Sequence, residues 1–258
     1  MTDAVLYELD GHVATITYNR PDRLNAINGE MRQGLNAAWT RFKEEDDAWA
    51  AIVTGAGKAF CAGADMRDHE GSVGTWPGSF WEIPTQNSFE SGWEIWKPTI
   101  AAVNGACVGY GLTGALVCDF VIAAEEATFS YPEVRIGVPT IVGALRLPGR
   151  IGWSHAMELL LTGDPISAER ALEVGLAWRV VPGSDLLAEA RTLADRLCRA
   201  APLAARATKE MAWRGQRLPF TDAVRFGETM RRVAGRTDDA AEGATAFLER
   251  RDPRWQGR

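Results

Sequence analysis

Two stretches of small residues stand out for the chemistry their backbones could do. The first is Thr99-Ile100-Ala101-Ala102-Val103-Asn104-Gly105-Ala106-Cys107-Val108-Gly109-Tyr110-Gly111-Leu112-Thr113. An apolar run ends at Asn104-Gly105, Gly109 and Gly111 follow, and Leu112 to Val117 reads as helix. This order predicts strand, glycine turn, helix start. Glycine takes dihedrals that a Cβ forbids, so such a turn can point N–H groups outward. An oxygen gaining negative charge would be stabilised there. The second stretch, Gly55 to Met66, also follows an apolar strand. It lacks the Lys-Ser/Thr pair of a phosphate loop, and no helix opens at Gly55 as a dinucleotide fingerprint requires. If the two strands are neighbours, one N–H from each turn, near residues 62 and 110, could converge on a single oxygen and form an oxyanion hole. A glycine-rich turn is a weak signal by itself, and an ordinary tight βα turn gives the same string.

The elements that must position these turns read as follows. Ala4–Leu9 and His12–Tyr18 are β-rich runs joined at Asp10-Gly11, a two-residue hairpin signal. Asn28 can cap a helix to about Glu44, with Met31, Leu35, Ala38, Trp39 and Phe42 at helical spacing. Trp49–Thr54, Asp119–Ala124 and Ala127–Ser130 are strand candidates, and Tyr131-Pro132-Glu133 is a turn. Residues 136–151 read as an interrupted segment because of Gly137, Pro139, Gly143, Pro148 and Gly149. Trp153–Leu161 is helical, Ser167 caps the next helix, and Ala177–Val181 is a strand closed by Pro182-Gly183. Helices follow at about 185–199, 202–214, 220–234 and 238–250. Residues 67–92 mix Gly71, Gly74, Pro77, Gly78 and Pro84 with Trp76, Phe80, Trp81 and Phe89. That composition suits a lid or pocket wall over apolar ligand atoms, or a long loop packed on itself.

At 258 residues and 46% hydrophobic content, the chain can bury a substantial core. Its net charge of −6 argues against nucleic-acid binding. From Arg199 onward, however, 13 basic residues face 8 acidic ones. Four cysteines without CxxC spacing, beside three histidines, argue against a metal site or a disulfide framework. No leader pattern and no membrane-length apolar run is present, so a reduced, cytoplasmic protein without membrane association is expected.

The string Lys58–Met66, the turn Ala101–Gly105, the pair Cys118-Asp119 and the run Phe129–Gly137 together resemble the crotonase (enoyl-CoA hydratase/isomerase) superfamily. So do Leu161-Thr162-Gly163, Ser167-Ala168, Ala171–Gly175 and the helix start from Ala201-Pro202 to Lys209-Glu210. The resemblance starts at Asn19-Arg20-Pro21 and Leu24-Asn25-Ala26 and covers essentially the whole chain. It implies an α/β fold of the ClpP/crotonase type. A ββα spiral over residues 1–195 would carry the acyl-CoA site, and a helical trimerisation region at 196–258 would give a homotrimer or a hexamer. The implied ligand is an acyl-CoA thioester, with no cofactor beyond the coenzyme A of the substrate. Matched residue by residue, the oxyanion N–H groups fall at Ala62 and Tyr110, and the acid/base carboxylate at Glu133. Gly63, Ala64, Asp65, Met66 and Thr113 would line the substrate path, with Arg23 and Ala26 by the adenine end.

The chain departs from that pattern in two places. Thr113 stands where the hydratases carry a first glutamate, and Tyr110 stands where the middle glycine is usual. One-glutamate members include the Δ3-Δ2-enoyl-CoA isomerases, whose Gly-Ala-Cys after the Asn is similar to Gly105-Ala106-Cys107. A single base at Glu133 suits isomerisation, or hydration with Glu82, Glu90 or His69 in place of the missing carboxylate. Another acyl-CoA reaction (decarboxylation, C–C hydrolysis, dehalogenation) and a non-catalytic acyl-CoA-binding protein remain as alternatives.

Overall fold

The computed structural model describes residues 3–67 and 94–258. Ten strands and nine helices are described. The strands are β1 (Val5–Asp10), β2 (Val13–Tyr18), β3 (Ala50–Gly55), β4 (Ala59–Cys61), β5 (Thr99–Val103), β6 (Ala106–Val108), β7 (Phe120–Ala124), β8 (Thr128–Ser130), β9 (Ile166–Ser167) and β10 (Arg179–Val181). The helices are α1 (Gly29–Glu44), α2 (Tyr110–Leu116), α3 (Val142–Ile151), α4 (Trp153–Thr162), α5 (Ala168–Glu173), α6 (Leu186–Leu197), α7 (Pro202–Gly215), α8 (Phe220–Ala234) and α9 (Asp238–Glu249).

The strands form two sheets, in the orders β1-β2-β3-β5-β7-β10 and β4-β6-β8-β9. Three times in succession the chain lays one strand in the large sheet and the next in the small one: β3 then β4, β5 then β6, β7 then β8. Successive turns of this spiral pair in parallel, with Ile52 opposite Ile100, Ala101 opposite Val121 and Cys107 opposite Phe129. Side chains alternate across a strand, so the large sheet feeds two cores. Ala51, Val53, Ala101, Val103, Val121 and Ala123 face α1 and the small sheet. Ile52, Ile100, Ala102 and Ile122 face Leu186, Ala190, Leu193 and Ala194 of α6.

Local signals explain most boundaries. Asn28 caps α1 by accepting from Met31 N–H at 2.9 Å, and Met31, Leu35, Ala38, Trp39 and Phe42 are buried. Ser167 accepts from Arg170 N–H at 3.2 Å and caps α5. The expectation for residues 136–151 is corrected: 142–151 form the continuous helix α3, with Pro148 inside it. Leu147 and Ile151 bury the inner face of α3, and that burial outweighs the backbone bond lost at Pro148.

Asn25 anchors the approach to the site. It is fully buried with φ +57°, a left-handed conformation that Asn tolerates better than most residues. Its Nδ2 donates to the Ala56 and Ala59 carbonyls at 2.9 and 2.8 Å, and its Oδ1 accepts from Arg20 N–H at 2.9 Å. Asn25→Ala leaves three polar partners unpaired, the Ala59 carbonyl among them fully buried, and is expected to cost about 3 kcal/mol. Urea unfolding should show the midpoint falling at an unchanged denaturant slope.

Candidate active site

The two glycine turns are neighbours, as their proposed joint role requires. Asn104 ties them together. Its Nδ2 donates to the Gly57 carbonyl at 2.9 Å, and its Oδ1 accepts from Gly55 N–H at 3.2 Å. Beyond the turns β4 and β6 pair in parallel, Cys61 opposite Cys107. Helix α2 then crosses the end of β4 so closely that a Cβ on Gly111 would lie 2.6 Å from the Cys61 carbonyl oxygen.

Hydrogen bonding sorts the amides of the first turn. Ala62 N–H donates to the Leu24 carbonyl at 2.9 Å. This corrects the expectation that Ala62 supplies an oxyanion donor, because an N–H already spent on a carbonyl has little left to give. Just beyond Ala62, Ile27 N–H donates to Gly63 O at 2.8 Å, and Asp65 N–H donates to Ile27 O at 2.9 Å. Ala64 sits between these bonds as a parallel bridge partner of Ile27. Its own N–H therefore points away from Ile27, and it meets no acceptor among the described residues. Gly63 lies against the second turn: a Cβ there would be 3.1 Å from Val108 O and 3.8 Å from Tyr110 N. Tyr110, the first residue of α2, likewise has an N–H with no acceptor among the described residues.

Glu133 is brought to the same place by β8. Gly109 N–H donates to Ser130 O at 2.8 Å, fixing the end of β8 against the start of α2. Three residues later Glu133 stands in the 3₁₀ turn Pro132–Ile136. Its carboxylate faces Gly109, where a Cβ would meet Oε1 at 2.6 Å. Gly109 has φ +53°, so glycine is favoured there on both counts. Glu133 Oε2 is buried and has no hydrogen-bond partner among the described residues. Burial raises the carboxyl pKa above its ordinary value, while its own backbone N–H and the Thr140 hydroxyl pull the other way.

Among the described residues, Thr113 faces no carboxylate. Its hydroxyl lies 3.1 Å from the Tyr131 hydroxyl, and both residues are buried. The Tyr131 ring leaves no room at Gly143 of α3, where a Cβ would fall 2.4 Å from Cζ. Burial raises the Tyr131 pKa far above that of a free phenol, so the pair is neutral across the physiological range. Sequence reasoning missed Tyr131, although it directly precedes Pro132-Glu133. The Tyr110 side chain is held by Arg32 of α1, which donates to its hydroxyl at 2.6 Å and lies over its ring at 4.7 Å.

The remaining expected residues divide. The Asp65 carboxylate is bound by Arg20 at 3.2 Å, and the Ala26 carbonyl also accepts from Arg20. Asp65 and Ala26 thus hold the 20–27 loop to the first turn. Arg23 and Met66 are exposed beside them. His69, Glu82, Glu90 and nearly all of the aromatic-rich stretch lie outside the described residues. Among the described residues, no group of three or more His, Cys, Asp or Glu side chains could hold a metal ion, and no helix is long and apolar enough to cross a membrane.

The family profile described as enoyl-CoA hydratase/isomerase matches residues 8–258. The chain is 37% identical over 255 residues to (E)-benzylidenesuccinyl-CoA hydratase of Thauera aromatica, covering 98% of this chain and 99% of that protein. Among solved structures, an enoyl-CoA hydratase/isomerase from Mycobacterium paratuberculosis superposes with a TM-score of 0.89 at 39% identity, covering 99% of each chain. The enoyl-CoA hydratase from Mycobacterium tuberculosis H37Rv superposes with a TM-score of 0.90 at 35% identity over 100% of each chain. The spiral, the paired glycine turns and the carboxylate beside them agree with these likenesses: the chain belongs to the enoyl-CoA hydratase/isomerase family, the acyl-CoA enzymes of the crotonase superfamily.

Proposed function

We propose that the enzyme moves a proton at the α carbon of an enoyl-CoA thioester, with Glu133 as its acid/base. The N–H groups of Ala64 and Tyr110 hold the thioester oxygen. The observation that carries this reading is the Glu133 carboxylate lying against Gly109, next to the free N–H of Tyr110. A thioester α-proton is weakly acidic, and removing it places charge on the carbonyl oxygen. Two preorganised donors aimed at that oxygen stabilise the charge as it develops, each contributing about 3 kcal/mol. One carboxylate that accepts the proton at one carbon and returns it at another completes a double-bond shift unaided. The neutral Thr113–Tyr131 pair supplies no second base, so isomerisation is the reaction this side-chain set supports best.

Water addition is the second reading, favoured by the relative named as a hydratase. There Glu133 would deliver the α proton, and the water would need another group to orient it. Assaying 3-enoyl-CoA for conversion to the 2-enoyl isomer, and 2-enoyl-CoA for hydration, separates the two. Absence of both reactions over a range of chain lengths would overturn the assignment. The acid limb of the pH–rate profile should lie above the ordinary carboxylate range. Activity needs the ionised form, and burial keeps Glu133 protonated to higher pH.

The subunit arrangement follows the same reading. Helices α8 and α9 leave Phe220, Val224, Val233, Phe247 and Leu248 exposed. Faces of this kind suit burial between copies of the chain, in a homotrimer or a dimer of trimers built through residues 196–258. Light scattering on the purified protein tests it; a monomer at micromolar concentration would refute it.

A further inference from the structure

A cavity of about 630 Å³ lies between α3, α7 and the C-terminal end of α2, apart from the Glu133 carboxylate. Four cationic side chains line it: Arg146, Arg150, Lys209 and Arg217. Its acids are already engaged. Asp119 pairs with Lys209 at 2.7 Å, and Glu94 pairs with Arg214 at 2.7 Å. Arg146, Arg150 and Arg217 have no carboxylate within ion-pair distance among the described residues. Arg146 and Arg217 instead crowd one indole, their guanidinium carbons 4.7 and 4.2 Å from the Trp213 ring centroid. Among the described residues, Arg150 has only long contacts of 3.4 and 3.3 Å to the Cys118 and Asp119 carbonyls.

Arg146 and Arg150 are half-buried and Arg217 is exposed at the rim, and grouped guanidiniums without paired carboxylates leave donors that an added anion can fill. At Arg146, burial and the neighbouring Arg217 both work against the protonated form. Stacking on an indole compensates a single guanidinium modestly and does nothing for the mutual repulsion of two. An aromatic wall with convergent guanidiniums is the arrangement that binds a planar anion attached to an apolar body. The cavity also lies close to the buried Thr113–Tyr131 pair. Leu116, which lines it, is one helical turn beyond Thr113 on α2. Arg146 is one turn beyond Gly143, which packs on Tyr131. One such turn spans ~5 Å.

We infer that this cavity is a carboxylate-binding site, with Arg146, Arg150 and Arg217 as its cations and Trp213 as its apolar wall. The carboxylate has two possible sources. It is either the far end of the acyl group, which rests on the function proposed above, or a free carboxylic acid, which does not.

Two measurements test the site and distinguish the sources. Titration calorimetry with sodium glutarate compares the wild-type protein with Arg217→Gln and Arg150→Gln. Arg217 is exposed, so its loss leaves folding intact, and thermal melts check both variants. In parallel, kcat/KM is measured for two enoyl-CoA thioesters of equal length, one ending in a carboxylate and one in a methyl group. If the acyl group is the source, the wild type prefers the carboxylate-ended thioester, and Arg217→Gln lowers the ratio about tenfold. Glutarate binding weakened about tenfold in Arg217→Gln, with no chain-end preference, makes a free acid the ligand. No glutarate binding and no preference would overturn the site. Intact glutarate binding with neither thioester converted faults the proposed reaction and leaves the site standing.

Discussion

Glu133→Gln is expected to lower kcat by about 10³-fold, the scale on which a positioned acid/base contributes. Glutamine keeps the shape of the side chain, so it can occupy the space beside Gly109, but it can neither take nor return a proton. The same substitution is expected to leave the fold as stable as before, or more so. A buried carboxyl whose folded pKa is raised binds its proton more tightly in the native state than in the unfolded chain. Its contribution to stability is therefore greatest at low pH. It is lost as pH rises from the unfolded pKa through the raised folded one. Glutamine is neutral throughout and avoids that loss. Melting curves recorded above and below the carboxylate range should show the variant gaining on the wild type as pH rises. Loss of turnover without loss of stability marks a residue kept for chemistry. Turnover close to wild type on the true substrate would remove Glu133 from the mechanism.

Much of this arrangement was legible in the chain. The Asn28 cap, the helical spacing of Met31, Leu35, Ala38, Trp39 and Phe42, and the hairpin at Gly11 are local signals, and short-range physics decides them. The glycine turns were readable for the same reason, since close approach of α2 to Cys61 and of Glu133 to Gly109 leaves no room for a side chain. What was not legible depends on contacts distant in sequence. Whether Ala62 or Ala64 keeps a free N–H is settled by how residues 24–27 lie along residues 62–65, and no property of an alanine announces it. Helix α3 reads as interrupted in the sequence because glycine and proline disfavour a helix locally. Gly143 is in fact the clearance for the Tyr131 ring. The Thr113–Tyr131 contact joins two turns of the spiral, so neither partner signals the other from its own neighbourhood.

That contact also bears on the chemistry. Two hydroxyls 3.1 Å apart in a buried place can exchange a hydrogen bond but cannot hold a charge near neutral pH. Under the proposed function, catalytic polarity among the described residues is concentrated in one titrating group and two backbone donors. A site built this way depends on backbone geometry more than on side-chain identity, which is how Tyr110 can stand where a glycine is usual. Its ring is drawn aside by Arg32 and its amide is left unspent.

Tyr110→Pro separates these two roles, and it is expected to lower kcat by about 10²- to 10³-fold, the cost of one lost oxyanion donor. Proline is suited to the first position of a helix, where its missing N–H is not needed by the helix. Tyr110 holds that position in α2. The preceding residue must avoid the right-handed helical region. Gly109 does so, at φ 53° and ψ −114°. The fold thus accepts proline, and the donor disappears. Tyr110→Ala is the matched control: it keeps the N–H and loses the phenol with its bond to Arg32, for an expected loss under about tenfold. Both variants are compared by kcat, by KM and by thermal melting. A large gap between them in kcat, at similar melting temperature, identifies the amide as the working part of residue 110. Equal losses from proline and alanine would assign the effect to the ring, and the two-donor oxyanion hole would have to be abandoned.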